Sequence, residues 1–292
     1  MSLSSHLQTK DFMQSLPALS LEALKHYVLS KGLEWYESNP DESEVIRNNC
    51  RKFGLKCDNN RLKNIQHHIL LHYYEKLIPF AMTPQAYAQY LKEKMKFIGD
   101  ISTIKNSLDQ KKGVLLAVCH FGAVELIGPR LSCEGIPFTG TLKFATGSSS
   151  EAAKSAAIAL SQSGLFADIH FIEVGASDSA SSLEMAAVLR RGSLLMSVFD
   201  EKTRYSLDIN LFNRHVFGGA GLHKLVSFMH GEITVCIAFA LRTGNETYEL
   251  HLVNVDSRDP SLVQTMYQSF ERICANHLEQ WYFLHEEIPF VK

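Results

Sequence analysis

VLLAVCHFGAVELIG (114–128) decides the class of this fold. Its first six residues form an unbroken apolar run rich in Val and Leu, the pattern of a strand buried on both faces of a parallel sheet. His120 follows the run, Gly122 permits a tight turn, and from Ala123 the apolar residues recur at helical spacing. A strand passing through a turn into a helix opens a β–α unit, and further units follow. The β-rich runs FTGTLKF (138–144), ADIHFIEV (167–174) and SLLMSVF (193–199) alternate with helical stretches at 102–111, 123–135, 149–164 and 181–192. Such alternation implies a largely parallel sheet covered by helices. Beyond it, SLDINLFNRHVF (206–217) alternates as one edge or half-exposed strand would. GLHKLVSFMHG (221–231) reads as a helix, ITVCIAFAL (233–241) and TYELHLVNV (247–255) as strands, and the chain from Pro260 to about His285 as one long helix.

Upstream of Gly99 the rhythm is helical throughout. The stretches 19–36, 41–54, 59–78 and 83–99 each carry apolar residues three and four apart. Ser20, Asn39-Pro40-Asp41 and Thr83-Pro84 supply start signals. The expected fold is therefore α/β, with a mostly parallel central sheet covered by helices and an all-helical N-terminal portion. Residues 1–98 are expected to form a helical region packed on an α/β domain at 99–292.

Composition narrows the functional classes. The chain has 292 residues, 46% hydrophobic and 21% charged, enough apolar content for a sizeable core. A net charge of -2 gives no basic stripe for a nucleic-acid partner. The longest clean apolar stretch, Ile233 to Leu241, falls well short of the ~18 residues of a membrane span. The opening MSLSSHLQTKDFMQSL lacks a signal segment, and the six cysteines contain no Cys-x2-Cys pair. A reduced, cytoplasmic protein is expected, with peripheral contact at the inner membrane through an amphipathic N-terminal helix as the alternative.

Chemistry centres on a His-x4-acid spacing. Three copies occur: His6 with Asp11, His120 with Glu125, and His251 with Asp256. Chance supplies about one or two in a chain of this composition, so context must select. His6 lies in the polar terminus. His251 sits inside a strand, where five residues span roughly 16 Å. Only His120 stands at the carboxyl end of a buried parallel strand, where open α/β sheets place their ligands. A turn at Gly122 can fold Glu125 back toward the imidazole. The carboxylate would hold one ring nitrogen protonated and leave the other free to accept a proton. The alternative is that His120 caps the helix and Glu125 answers its dipole.

Other features weigh less. His68 and His72 have a metal-ligand spacing, but no third ligand accompanies them; a solvated helix face is expected, and no metal is implied. Cys119, beside His120, is expected to be a core residue rather than a thiol nucleophile. No G-x-S-x-G elbow or P-loop is present.

HFGAVE (120–125), with the strand before it, resembles the His-x4-Asp/Glu motif of the glycerolipid acyltransferase superfamily, and is most similar to the bacterial lipid A lauroyl/myristoyl acyltransferase branch. The block from Arg190 to Val255 has a similar order of elements, and HLEQWYFLH (277–285) resembles the aromatic-and-His ending common there. The similarity spans roughly residues 20 to 290, with HFGAVE its specific part. The resemblance implies transfer of a fatty or other acyl group from an acyl carrier protein or coenzyme A thioester to a hydroxyl or amine. No bound cofactor is implied. His120 would be the general base, Glu125 its orienting partner, and Asp200 an acidic strand end lining the pocket. Arg204, Arg214 and Lys224 are candidates for charge near the thioester or the phosphopantetheine phosphate. GGAGLHKL (218–225) could present helix amides to the same anion. Phe121, Phe199, Phe212 and Phe217 are candidates for the acyl slot, with core packing the default for each. Three departures leave the acceptor open. No hydrophobic N-terminal anchor is expected from the polar opening residues, Ala123-Val124 replaces a polar-aromatic pair, and no arginine precedes the helix at 181–192. A thioesterase using the same base on water, or a non-catalytic carrier- or lipid-binding protein, are the competing readings.

Overall fold

A computed structural model of the chain describes residues 2–142, 147–174, 178–201, 206–286 and 288. Six helices come first: α1 (Leu3–Leu7), α2 (Lys10–Ser15), α3 (Leu21–Ser38), α4 (Pro40–Lys52), α5 (Asn59–Ala81) and α6 (Pro84–Lys94). Side-chain oxygens of Ser20, Asp58 and Thr83 accept hydrogen bonds from first-turn amides at the starts of α3, α5 and α6. Asn39 acts differently from expectation. Its Nδ2 donates to Trp35 O at 2.7 Å, so it closes α3 instead of capping α4.

The N-terminal part is not all helical. The helix expected to run to Gly99 stops at Lys94, and β1 (Met95–Ile98) joins the central sheet, paired in parallel with β9. Met95 is buried, and Gly99, at φ +108°, ends the strand. The boundary expected at residue 98 thus falls after the sheet's first strand.

Downstream come α7 (Ser102–Asp109), β2 (Val114–Gly122), α8 (Ile127–Ser132), β3 (Phe138–Leu142), α9 (Gly147–Gln162), β4 (Ile169–Glu173), α10 (Asp178–Arg190) and β5 (Leu194–Val198). They are followed by β6 (Ser206–Leu211), β7 (Arg214–Gly219), α11 (Gly221–Phe228), β8 (Thr234–Gly244), β9 (Thr247–Val255) and α12 (Leu262–Cys274). The seven-stranded sheet has the order β1-β9-β8-β2-β5-β3-β4, and every neighbouring pair is parallel except β8 with β9. The α/β expectation holds, with a mostly parallel sheet flanked by helices.

Topology places the site. From β2 the chain moves across the sheet to β3 and β4, then returns to β5 and passes over β2 to β8. Right-handed crossovers put connections running in opposite directions on opposite faces. In agreement, Arg190 at the end of α10 lies over the Phe228 ring of α11, 4.6 Å from its centroid. The connections therefore diverge between the carboxyl ends of β2 and β5, the crevice where open α/β sheets bind ligands.

Two further expectations change. SLDINLFNRHVF is a separate antiparallel hairpin, β6–β7, not one strand of the main sheet. Its turn residues Phe212 and Asn213 have φ of 50° and 58°, the paired left-handed conformation of a type I′ turn. The C-terminal helix stops at Cys274, and the chain continues in single 3-10 turns at Leu278–Gln280 and Tyr282–His285. Between them Trp281 forms an antiparallel bridge with Phe121 of β2. One apolar core runs from Leu3 to Ile288, so the N-terminal helices and the sheet share it. Among the described residues, no helix is long and apolar enough to cross a membrane.

Candidate active site

Residues 114–119 of β2 are all buried, and His120 is the first to reach the open end of the sheet. The ladder to β5 ends as Phe199 N–H donates to Val118 O at 2.9 Å. The next residue on that side is Asp200, whose side chain takes over from the backbone. Its Oδ2 accepts from His120 N–H at 2.9 Å, and its Oδ1 lies 2.9 Å from His120 Nδ1. Trp281 Nε1–H donates to Oδ2 at 3.4 Å. The Asp200 side chain is fully buried, whereas 21% of the His120 side chain remains exposed.

This geometry selects the tautomer. A carboxylate facing Nδ1 requires a proton there, which leaves Nε2 as the nitrogen able to accept one. Burial alone would lower the imidazole pKa. The charge and hydrogen bond of Asp200, with the charges of Glu201 and Glu125, outweigh it and raise the pKa to about 9. Glu201 Oε1 lies 3.8 Å from Nε2.

Glu125 does not take a ring nitrogen of His120. It sits in a 3-10 turn, Val124–Leu126, with Oε1 3.4 Å from His72 Nε2 and 3.9 Å from Lys76 Nζ, both on α5. The reason is the preceding turn: Gly122 has φ +58°, and Ala123 N–H is bonded to Ala240 O at 2.7 Å, directing the chain toward α5. Glu125 still contributes charge to the imidazole, but Asp200 provides the orienting hydrogen bond.

The His68–His72 face is not solvated as expected. His72 is buried, and its Nδ1 has no hydrogen-bond partner. Burial, then the neighbouring charges of Lys76 and His120, hold its pKa well below the usual value, so it is neutral. Its ring lies 4.4 Å from that of Tyr282, whose hydroxyl is 2.8 Å from the Tyr73 hydroxyl. Phe283 packs 4.6 Å from the His120 ring. Tyr282 (ring centroids 6.2 Å apart) and Phe283 thus flank the His120 ring, and His72 and Tyr73 of α5 pack against Tyr282. Burial pushes the Cys119 thiol well up, as befits a core residue.

The remaining candidates separate. Phe121 and Phe199 are core residues, packed edge-on against Phe270 and Tyr267 respectively, and leave no ring face for an acyl chain. Phe212 is half-buried at the hairpin tip, 5.8 Å from Phe53, which in turn lies 5.7 Å from Trp281. Phe217 is half-buried on β7, and Arg214 and Lys224 are exposed on β7 and α11. Arg204 lies outside the described residues. The backbone amides of His120 and Ala123 are engaged by Asp200 Oδ2 and Ala240 O. Among the described residues no three His, Cys, Asp or Glu side chains are grouped to hold a metal ion.

Local spacing did not disclose the roles of His72, Trp281, Tyr282, Phe283 and Glu201. The HLEQWYFLH ending was the available signal for Trp281 to Phe283, but it carried no assignment to His120.

Compared with known proteins, the chain matches no family model and no curated sequence.

Proposed function

We propose that the protein is an acyltransferase that moves an acyl group from a carrier-protein or coenzyme A thioester to a hydroxyl or amine. The carrying observation is His120, with Nδ1 on the buried Asp200 carboxylate and its ring partly open at the crevice between β2 and β5. The resemblance of HFGAVE to acyltransferase motifs adds the reaction class. In this reading Nε2 removes the acceptor's proton as its oxygen or nitrogen attacks the thioester carbonyl. The tetrahedral intermediate collapses, the C–S bond breaks, and the imidazolium returns its proton to the departing thiolate. Asp200 stabilises the imidazolium throughout without being protonated itself. We assign the reaction to the cytoplasm, where both donor classes are made.

The test follows acyl carrier protein and acyl-coenzyme A panels by intact mass spectrometry, with and without pooled cell extract, for the wild type and His120→Ala. Loss of the acyl group that needs both extract and His120 is the expected result. Extract-independent loss makes the protein a thioesterase, and full activity in folded His120→Ala removes the general-base assignment.

A further inference from the structure

The mechanism above leaves unused one buried ion pair, Glu75 of α5 with Arg242 of β8. Their side chains are 1% and 4% exposed. Arg242 Nε donates to Glu75 Oε1 and Nη2 to Oε2, both at 2.7 Å, in a bidentate fork. Burial pushes the Glu75 carboxyl up, against the opposing charge and hydrogen bonds of Arg242. Taking two charges out of water is costly, and well-packed apolar residues often serve stability as well or better. The pair therefore calls for a reason beyond stability, and its other contacts supply one.

Arg242 Nη2 also donates to Gly122 O at 2.7 Å, the carbonyl two residues after His120. Gly122 cannot carry a side chain there, because a Cβ would meet Ala240 O at 1.9 Å. The Arg242 backbone makes a second connection: its N–H donates to Gln280 Oε1 at 3.0 Å, and its carbonyl accepts from Gln280 Nε2 at 2.9 Å. The next residue is Trp281, which donates to Asp200. One arginine thus touches the turn that follows the base and the segment that clamps the acid.

We propose that Arg242, held by Glu75, is a positioning residue for His120 and Asp200, fixing the Gly122 turn on one side and the Gln280–Trp281 segment on the other. This role rests on reading His120 as the base. Lysine cannot replace the arginine, because a single ammonium lacks the planar fork that serves Glu75 and Gly122 O together.

The test uses full-length Arg242→Lys and the double variant Glu75→Leu/Arg242→Met, which removes both charges at once. Thermal melting followed by circular dichroism checks the fold. NMR titration of the His120 imidazole, assigned by comparison with His120→Ala, reports the dyad without needing a substrate. The other groups facing it are Glu125, Glu201, His72 and Glu286, all intact in these variants. A weakened Asp200 contact should lower the His120 midpoint by about one pH unit or more. Cleavage of acyl-coenzyme A thioesters in the presence of extract should lose about tenfold or more in kcat with KM within about twofold. A folded variant that keeps both the midpoint and kcat overturns the proposal. If the double variant does not fold, Arg242→Lys is read by the same criteria. A shifted midpoint in variants of a wild type that transfers no acyl group supports the positioning role and removes the acyl-transfer reading instead.

Discussion

At the scale of single residues, the proton on His120 Nδ1 follows from its neighbours. Asp200 presents a carboxylate that can only accept at that position, and the same carboxylate holds the His120 amide. With the imidazole pKa raised to about 9, the neutral, base-competent form grows as pH rises. The kcat/KM for acyl transfer should therefore climb about tenfold per pH unit from neutrality and level off near pH 9. Asp200→Asn removes the charge that opposes burial, so the midpoint should move to lower pH. The amide can also donate to Nδ1, forcing the proton to Nε2 and abolishing the base. A loss of about 10² to 10⁴ in kcat is expected from pH–rate profiles of the two proteins. An Asp200→Asn profile with wild-type midpoint and rate would return the orienting role to Glu125. Sequence spacing selected His120 and assigned the orienting contact to Glu125, while Asp200 entered only as an acidic strand end implied by the resemblance. The pairing joins residues 80 apart, and strand adjacency across a crossover leaves no mark in local periodicity.

Among the elements, legibility followed how far each is governed by its own residues. VLLAVC is apolar on both faces because β2 is an interior strand of a mostly parallel sheet whose faces are covered by helices, and that burial was plain from its unbroken apolar run. MKFI was hidden because four residues at the end of a helical pattern do not establish a period of two. The β6–β7 turn was hidden because Phe212 and Asn213 adopt left-handed φ without the glycine that usually announces a type I′ turn. Gly122 is the opposite case, a glycine whose necessity can be measured. Gly122→Ala meets both the left-handed penalty and the Ala240 carbonyl, and should cost about 3 kcal/mol or more. Gly135→Ala is the control. Gly135 has φ +78° with nothing within 4 Å of an added Cβ, so only the conformational penalty of about 1–2 kcal/mol applies. Urea midpoints for the two variants should differ in that order, and equal losses would deny the close approach of the turn to β8.

For the whole molecule, the division at residue 98 that periodicity suggested meets a sheet that does not respect it. The change from helical to alternating rhythm is real in the sequence, but rhythm reports local periodicity and not which surfaces are buried together. β1 closes the edge beside β9, and α5 brings Glu75 to Arg242 and His72 to Glu125. A fragment beginning at Gly99 would lose all of these at once. It would bare the β9 edge to pairing with other chains. It would also leave the Arg242 guanidinium without its carboxylate, a defect worth about 3–5 kcal/mol where the partner alone is removed. That is a large part of the ~5–15 kcal/mol by which a domain is usually stable. Residues 99–292 expressed alone should therefore aggregate, or remain compact without fixed packing, as judged by size-exclusion chromatography and near-ultraviolet circular dichroism. Co-expression with residues 1–98 should rescue solubility, because the lost contacts are noncovalent. A monomeric 99–292 fragment with native near-ultraviolet signal would mean that the α/β part folds independently, and that the shared core from Leu3 to Ile288 is two cores in contact.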